Sequence, residues 1–244
     1  MPSHPSHRLD SVDALRGFAV LWMAVFHFCY DLNHFGWIQQ NFLTDSVWTL
    51  QRTAIVSVFL FCVGLGQSIA VTQGQSWSRF WKRWGQVALC AVGVTLGSLW
   101  MFPASYIYFG VLHGIAVMLI IARLTAGWGR WLWVLGGVAI ALKFIAGYAH
   151  GISGSIDFLN YRWFNWLGLI GYKPRTEDYV PLVPWLGVVW WGMAAGRWMQ
   201  LHRPGWLMMK AAPTALVVLG RWSLSFYMLH QPVLLGAMAL LAAF

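Results

Sequence analysis

The sequence has little charge for its length. Only 9% of its 244 residues are charged, whereas a soluble domain has about 25%. In their place 59% of the residues are hydrophobic, the mean hydropathy is +0.60, and 18 residues are tryptophan, a residue enriched at membrane interfaces. This composition excludes an ordinary soluble protein. It predicts an all-α polytopic membrane helix bundle, with a single transmembrane domain over residues 1–244.

Cysteine is also scarce, and its placement is uninformative about chemistry. Cys29, Cys62 and Cys90 all lie in apolar runs and form no CxxC pair, and buried thiols behave as small hydrophobes. The sequence therefore indicates neither a disulfide framework nor a metal site. The first apolar run also lacks the small-residue cleavage site of a signal peptide, so we expect it to remain as a membrane span.

Long apolar runs are abundant, and no internal repeat accompanies them. We expect seven transmembrane helices, at about 14–32, 48–72, 85–102, 106–122, 131–149, 181–199 and 222–243. The longest connector covers residues 150–180. The apolar piece 211–220 is too short to cross about 30 Å of hydrocarbon, so it is a surface helix, a re-entrant helix or an extension of the last span. Close helix packing is predicted at three GxxxG pairs, Gly93/Gly97, Gly110/Gly114 and Gly192/Gly196.

The basic residues are distributed unevenly between the two sets of connectors. If the N-terminus is cytoplasmic, about eleven of them lie on the inner side, Arg8 and Lys210 included, and about four on the outer side. Such an excess on the inner side is the rule for short loops. We therefore expect a cytoplasmic N-terminus and a bacterial inner-membrane protein. The net charge of +9 indicates this topology and not a nucleic-acid partner.

The first span carries its ionisable residues on one face. At 100° per residue, with Arg16 at 0°, His27 lies at about 20°, Asp31 at about 60° and His34 at about 0°. Polar groups within a membrane usually face a bundle interior or a water-filled cavity. Because His27 and Asp31 are four residues apart, we expect their side chains to meet. The carboxylate would then hold one imidazole nitrogen and leave the other as a base.

Two further histidines lie at a similar depth in other spans. Counted at 1.5 Å per residue from the nearest inner-edge arginine, His27, His113 and His230 are all about 14–16 Å into the membrane. Tyr227 shares a face with His230. A single such histidine is explained by a hydrogen bond to a neighbouring helix. Three at one depth favour convergence on a reaction path.

A basic collar surrounds the predicted inner ends of the spans. Its members are Arg16, Arg79, Lys82, Arg83 and Arg123. The inner-side excess of basic residues explains most of them, but an arginine on the face of a buried base goes beyond that rule. Guanidinium groups pair well with phosphates, so a phosphorylated donor such as coenzyme A would fit this collar.

Four stretches resemble, in the same order, the heparan-α-glucosaminide N-acetyltransferase catalytic-domain family. They are RLDSVDALRGFAVLWMAVFHFCYDL, FGVLHGIAVMLIIAR, VPWLGVVWWGMAAGR and LGRWSLSFYMLHQPVLLG. The spacing of Arg16 and His27 is similar to the first-helix signature of the acyltransferase-3 family. The resemblance implies an integral membrane acetyltransferase. Such an enzyme moves an acetyl group from cytoplasmic acetyl-CoA to a sugar amine or hydroxyl on the periplasmic side.

The resemblance leaves two histidines as candidates for the chemistry. The acyltransferase-3 pattern implies His27, whereas the glucosaminide branch implies a histidine in the outer loop, where His34 is the nearest match. Either would serve as a covalent acetyl relay or as a general base. His113, His230 and Tyr227 would line the acyl path, and the basic collar would bind acetyl-CoA as a substrate, with no metal. The expected partners are the bilayer and a glycan or amino-sugar acceptor; a homo-oligomer is an open option.

Two other functions are compatible with the same residues. Histidine and acidic groups inside a membrane also form the proton relays of small-solute transporters. The inverted repeats that many transporters carry are not visible here. Histidines at matched depth on different spans could also bind haem, so a membrane haem protein is the second alternative.

Overall fold

The computed structural model describes residues 9–207 and 212–242, and within these ranges the secondary structure is helical. Nine α-helices follow one another as α1 Asp10–His34, α2 Ser46–Thr72, α3 Trp77–Met101, α4 Val111–Leu124, α5 Trp131–Ile152, α6 Leu182–His202, α7 Pro204–Leu207, α8 Thr214–Arg221 and α9 Ser223–Ala242. One isolated β-bridge joins Phe109 and Tyr179. The all-α prediction is confirmed. Arg8 and Lys210, which contributed to the predicted charge asymmetry, lie outside the described residues.

Five of the described helices are long and apolar enough to cross a membrane, namely α1, α2, α3, α5 and α9. Large apolar side chains on these helices are exposed, among them Leu89 at 73%, Trp100 at 85% and Phe144 at 73%, as a lipid-facing surface requires. The chain is therefore an integral membrane protein. Helix α4 has only 14 residues, about 21 Å, and α6 carries Arg197 within its length. Membrane crossings by α4 and α6, and hence the count of seven, stay predictions.

Local signals in the sequence set the ends of the long helices. Gly36 and Gly74, which follow α1 and α2, have φ values of +77° and +68°, a backbone region that favours glycine. Ser76 caps α3, since its hydroxyl accepts a hydrogen bond from the N–H of Arg79 at 3.3 Å. A glycine and a serine thus reverse the chain between α2 and α3 within a short connector.

The chain divides into two compact units, of which the first comprises residues 1–62 and 202–244. In this unit the backbones of α1 and α8 touch. A Cβ atom added to Gly17 would lie 2.0 Å from the carbonyl oxygen of Leu216, and one added to Gly220 would lie 1.7 Å from that of Asp13. Both distances are far below van der Waals contact, so only glycine fits at the two positions. The described part of the predicted 211–220 piece is α8, an eight-residue helix that is too short to span.

Arg221 of α8 forms ion pairs with α1, and Arg16 forms one within α1. Arg221 Nη2 lies 2.8 Å from Asp10 Oδ1, and Arg16 Nη1 lies 2.9 Å from Asp13 Oδ1. The second oxygen of Asp13 is 3.7 Å from Arg221 Nε. Because Asp13 is only 5% exposed, its charge would be costly to bury without these cations.

The second unit comprises residues 63–201, and glycines also allow its helices to approach one another. A Cβ on Gly64 of α2 would lie 2.1 Å from the carbonyl oxygen of Val189 in α6. A Cβ on Gly136 of α5 would lie 2.3 Å from the ring of Trp191 in α6. Helix α6 therefore packs closely against both neighbours.

The GxxxG pairs have mixed outcomes. Gly196 packs against Ser68 of α2, with a Cβ distance of 3.0 Å, so close helix packing is confirmed there. Gly97 has no atom within 4 Å of its Cβ position, so the prediction is wrong for that residue. Gly110 and Gly114 instead face the connector, at Asp178 and Val180, because α4 begins later than predicted and leaves Gly110 outside the helix.

Two connectors of the second unit form one ordered assembly, which we call the connector assembly: residues 102–110 and 153–181. The N–H of Glu177 donates to Ser105 O at 2.9 Å, and the N–H of Val180 donates to Phe109 O at 3.3 Å. The segment also contains two short 3₁₀ helices, Gly154–Asn160 and Asn165–Leu167. The long connector predicted from the sequence is thus folded against its neighbour.

The contact between α1 and α8 predicts the effect of a single methyl group. We expect Gly220→Ala to lower the stability by about 1–3 kcal/mol, the usual cost of overpacking a tight interface. The measurement is the thermal midpoint of the purified protein in detergent.

The matched control is Gly236→Ala in α9, where nothing lies within 4 Å of the added Cβ. This variant should keep the midpoint or raise it slightly, since alanine favours helix more than glycine does. Equal midpoints for both variants would contradict the close approach of α1 and α8.

Candidate active site

Helices α1 and α9 bring two of the predicted histidines into direct contact. His27 Nδ1 lies 3.0 Å from His230 Nε2, and the ring centroids are 5.0 Å apart. His27 is ten residues after Gly17, and His230 is ten residues after Gly220. The two segments therefore run parallel and in register from the glycine contact to the histidine pair.

A glutamine that the sequence reasoning missed lies between His27 and Asp31. Gln231 Oε1 is 2.8 Å from His27 Nδ1, and its Nε2 is 2.8 and 3.0 Å from the two carboxylate oxygens of Asp31. The direct contact predicted from the i, i+4 spacing is replaced by this amide bridge. Asp31 is 1% exposed, so the two amide contacts compensate a buried carboxylate.

The bridge determines where the imidazole protons lie. A carboxylate only accepts hydrogen bonds, so the amide nitrogen of Gln231 faces Asp31 and its oxygen faces His27. Nδ1 of His27 must then carry the proton that is donated to Gln231 Oε1. Among the described residues Nε2 of His27 has no hydrogen-bond partner. This nitrogen therefore holds a free lone pair.

His230 completes the arrangement from the opposite side. Its Nδ1 donates to the carbonyl oxygen of Tyr227 at 2.8 Å, so its Nε2 is the unprotonated nitrogen that faces His27. Phe226 stacks on the imidazole with its centroid 5.9 Å away and the rings nearly parallel, and Tyr227 packs at 5.8 Å. His230 is thus fixed in orientation and can accept a proton from His27 Nδ1.

His34 makes no hydrogen bond to this network among the described residues, although its imidazole interacts electrostatically with Asp31, three residues earlier. It is the last residue of α1 and is exposed, and it makes an edge-on contact with Phe35 at 5.6 Å. Seven residues separate it from His27, or about 10 Å along the helix. The structure therefore places His34 at the exposed end of α1, away from the contact between His27 and His230.

His113 has a different environment, in the second unit. Its Nδ1 accepts the N–H of Gly110 at 3.3 Å, and its Nε2 is 3.0 Å from Thr95 Oγ1. Thr95 Oγ1 donates in turn to Ile107 O at 2.8 Å. Both ring nitrogens are engaged in holding the start of α4. A part in an acyl path stays a prediction for this residue.

The predicted basic collar falls into two groups. Arg16 belongs to the first unit, where it pairs with Asp13. In the second unit the guanidinium of Arg123 lies over the rings of Trp77 and Phe80, at 5.0 and 5.7 Å, and donates to Gln75 O. The remaining members of the collar are exposed on the first turns of α3; they are Arg79, Lys82 and Arg83.

One nitrogen of Arg123 is unsatisfied. Its Nη1 is buried and has no hydrogen-bond partner among the described residues. The start of α3 and the end of α4 therefore form one cationic end of the second unit. Within the described ranges, no three His, Cys, Asp or Glu residues are grouped to hold a metal ion.

The proton assignment at His27 can be measured directly. In ¹⁵N spectra of the labelled protein we expect the His27 signals of an Nδ1-protonated, Nε2-unprotonated imidazole. Gln231→Leu should abolish that preference because it removes the acceptor of the Nδ1 proton. His113 has both ring nitrogens bonded to residues of the second unit, so its signals serve as the control and should not change. An unprotonated Nδ1 in the wild-type protein would contradict the amide bridge.

The comparison with known proteins covers both units. Residues 8–232 match the family described as heparan-alpha-glucosaminide N-acetyltransferase, catalytic. No curated protein and no solved structure matches the chain. The matched range includes His27, Asp31, His230 and Gln231, and it covers most of the sequence. The chain therefore belongs to the heparan-α-glucosaminide N-acetyltransferase catalytic family, whose membership implies a membrane acetyltransferase.

Proposed function

We propose that this protein transfers the acetyl group of cytoplasmic acetyl-CoA to an amine or hydroxyl group of a periplasmic glycan. One observation supports this most: inside a membrane helix of an acetyltransferase-family chain, His27 has a free Nε2 and a neighbouring imidazole that can take its other proton. A nitrogen of this kind is what acyl transfer requires, as a nucleophile or as a base.

We propose a topology with seven membrane crossings and a cytoplasmic N-terminus. The protein would lie in a bacterial inner membrane, as a single acyltransferase domain over residues 1–244. The parallel register of α1 and α9 supports an odd number of crossings, since first and last spans then run in the same direction. The excess of basic residues supports the cytoplasmic N-terminus. In this orientation the cationic end of the second unit faces the compartment that contains acetyl-CoA.

Under this proposal the basic collar binds the donor through its phosphates. Arg123 presents an unpaired N–H, and Arg79, Lys82 and Arg83 add positive charge at the same end of the second unit. Arg16 contributes less free charge than expected because Asp13 partly neutralises it. Coenzyme A is too highly charged to cross the membrane, whereas an acetyl group is small and neutral.

His27 supports a covalent relay. Its Nε2 bonds to the acetyl carbon of the thioester, the C–S bond breaks, and the thiolate of CoA leaves. The proton on His27 Nδ1 passes to His230 Nε2, 3.0 Å away, so the acetylimidazole stays neutral. An acceptor oxygen or nitrogen then attacks the acetyl carbon and the C–N bond to the imidazole breaks. The proton held by His230 returns to His27 Nδ1, and the acceptor's proton is released to water and protonates the CoA thiolate.

Direct transfer uses the same nitrogen as a base. His27 Nε2 removes the proton of the acceptor hydroxyl or amine while that group attacks the thioester carbonyl, and the proton finally passes to the departing thiolate. In both routes Gln231 is a positioning residue, held by Asp31, that keeps Nε2 unprotonated. His34 would face the acceptor at the outer mouth, and its position outside the network suits that part better than the relay.

The haem alternative is not favoured by the geometry. His27 and His230 contact each other through their nitrogens at 3.0 Å, which leaves no room for a porphyrin between the two rings. No specific observation favours a transporter.

The assignment of His27 predicts a clear difference between two histidine variants. The assay uses the protein reconstituted in vesicles, with acetyl-CoA on the side of the proposed cytoplasmic face and a glucosamine acceptor on the opposite side. We expect His27→Ala to lower the rate of acetyl transfer by about 10²–10⁴-fold. His34→Ala should lower it less and mainly through KM for the acceptor. The measurement is radiolabelled acetyl product per protein.

A full rate for His27→Ala would refute the histidine mechanism. A wild-type protein that neither binds nor hydrolyses acetyl-CoA would refute the donor. Labelled acetyl retained on His27 after denaturation would support the relay, whereas its absence during turnover would support direct transfer.

The proposed binding of acetyl-CoA at the cationic end of the second unit can be tested separately. We expect Arg123→Gln to raise KM for acetyl-CoA about tenfold with little change in kcat, since a charge-assisted contact to phosphate is worth about 1.5–3 kcal/mol. Lys143→Gln in α5 removes the same charge elsewhere in the unit and serves as the control. An unchanged KM for Arg123→Gln would place the donor elsewhere.

A further inference from the structure

The connector assembly contains a cavity of about 230 Å³ in the second unit. Residues from both of its segments line it, including Tyr106, Tyr108, Asn160, Arg162, Asn165 and Arg175. Pockets for drug-sized ligands are about 300–1,000 Å³, so this cavity suits a single small polar group. Its lining is mostly polar, unlike the apolar surface of the helices.

Two arginines give the cavity positive charge. Arg162 and Arg175 make no ion pair within the residues that the structure describes. The guanidinium of Arg162 lies 4.6 Å from the centroids of both Tyr106 and Tyr108, and it donates to the Tyr106 hydroxyl. The aromatic rings hold this group in place and leave its charge unneutralised.

The acidic residues of the same assembly are engaged elsewhere. Asp157 lies 3.2 Å from His150, Glu177 accepts a hydrogen bond from the Ser105 hydroxyl, and Asp178 accepts the N–H of Val111 at 2.7 Å. None of these contacts involves Arg162 or Arg175, and neither arginine is ion-paired to an acidic residue among the described residues. The cavity therefore favours an anion.

Two polar side chains of the lining require donors or acceptors from a ligand. Asn165 is 3% exposed, and its Oδ1 is buried without a hydrogen-bond partner among the described residues. Its Nδ2 donates to the Tyr108 hydroxyl at 2.8 Å, which leaves the hydroxyl proton free to donate to an anion. Burial raises the pKa of Tyr108, so this hydroxyl stays protonated. A ligand hydroxyl would satisfy Asn165 Oδ1.

Exposed aromatic residues surround the arginines in the sequence. The exposed fraction is 65% for Tyr161, 84% for Trp163 and 68% for Tyr172. Tyrosine and tryptophan are enriched at the depth of lipid headgroups, and this assembly joins the ends of membrane helices. At the depth of the headgroups, the phosphate of a lipid is the anion closest to the cavity.

We propose that this cavity binds the phosphate ester of an anionic lipid whose headgroup bears hydroxyl groups, with the phosphate on Arg162 and Arg175 and a headgroup hydroxyl on Asn165. Arginine pairs well with phosphate, and the exposed aromatic side chains lie against the lipid. The site is independent of the acetyl-transfer proposal, because none of its residues takes part in the chemistry at His27.

Binding of soluble short-chain lipids to the full protein in detergent tests the site. We expect dioctanoyl phosphatidylglycerol to bind at least tenfold more tightly than dioctanoyl phosphatidylcholine, whose headgroup has no net charge and no donor. Arg175 is exposed and makes no ion pair among the described residues. Arg175→Gln should therefore keep the fold and lose about five- to tenfold in affinity for phosphatidylglycerol, and so should Arg162→Gln. The matched control Lys143→Gln should bind as the wild type does.

Equal affinity for the two lipids would overturn the proposal. A loss of affinity in Lys143→Gln as large as that in Arg175→Gln would also overturn it, because binding would then depend on surface charge alone. Free glycerol phosphate distinguishes the source of the anion: weak binding supports a lipid, whereas affinity equal to that of the lipid would assign the cavity to a soluble phosphate and overturn the lipid assignment. Thermal midpoints identify a variant that has lost its fold, and Arg175→Gln then carries the test.

Discussion

The contact between the backbones of α1 and α8 is the constraint on which the candidate active site depends. Gly17 and Gly220 allow the two helices to approach until a carbonyl of each occupies the place of a missing Cβ. From that point α1 and α9 run parallel for ten residues to His27 and His230. A side chain at either glycine would separate the helices, and the imidazole contact and the amide bridge would be lost together.

The polar groups beyond this contact are costly in a membrane, and the structure compensates each of them in a way that is chemically useful. Asp31 receives both contacts from the Gln231 amide nitrogen, the amide oxygen accepts the proton of His27, and His230 is held by a backbone carbonyl. A buried network is stable only if its members are satisfied. In this network His27 Nε2 has no hydrogen-bond partner among the described residues, and under the proposed function it is the atom that acyl transfer would use.

The two units contrast in how they use similar residues. His113 resembles His27 in its predicted depth, yet both of its nitrogens hold the start of α4. The i, i+4 spacing predicts direct contact between Asp31 and His27, whereas the structure places the Gln231 amide between them. Arg162 and Arg175 lie in the predicted long connector 150–180, whereas Tyr106 and Tyr108, which line the same cavity, lie in residues predicted to begin the fourth span. Residue type and depth alone do not distinguish a structural histidine from a reactive one, because the distinction depends on which partners reach each nitrogen.

The sequence by itself determined the class of the protein: low charge and long apolar runs require a membrane helix bundle, and helical angles place Arg16, His27 and Asp31 on one face of α1. The family resemblance was also readable from four stretches of residues. Only the tertiary structure decided that Gln231 bridges Asp31 and His27. These residues are about 200 positions apart, and the register of α9 against α1 is set by a backbone contact at two glycines. No GxxxG pair marks these glycines, because they lie on separate helices and their spacing exists only in the folded chain.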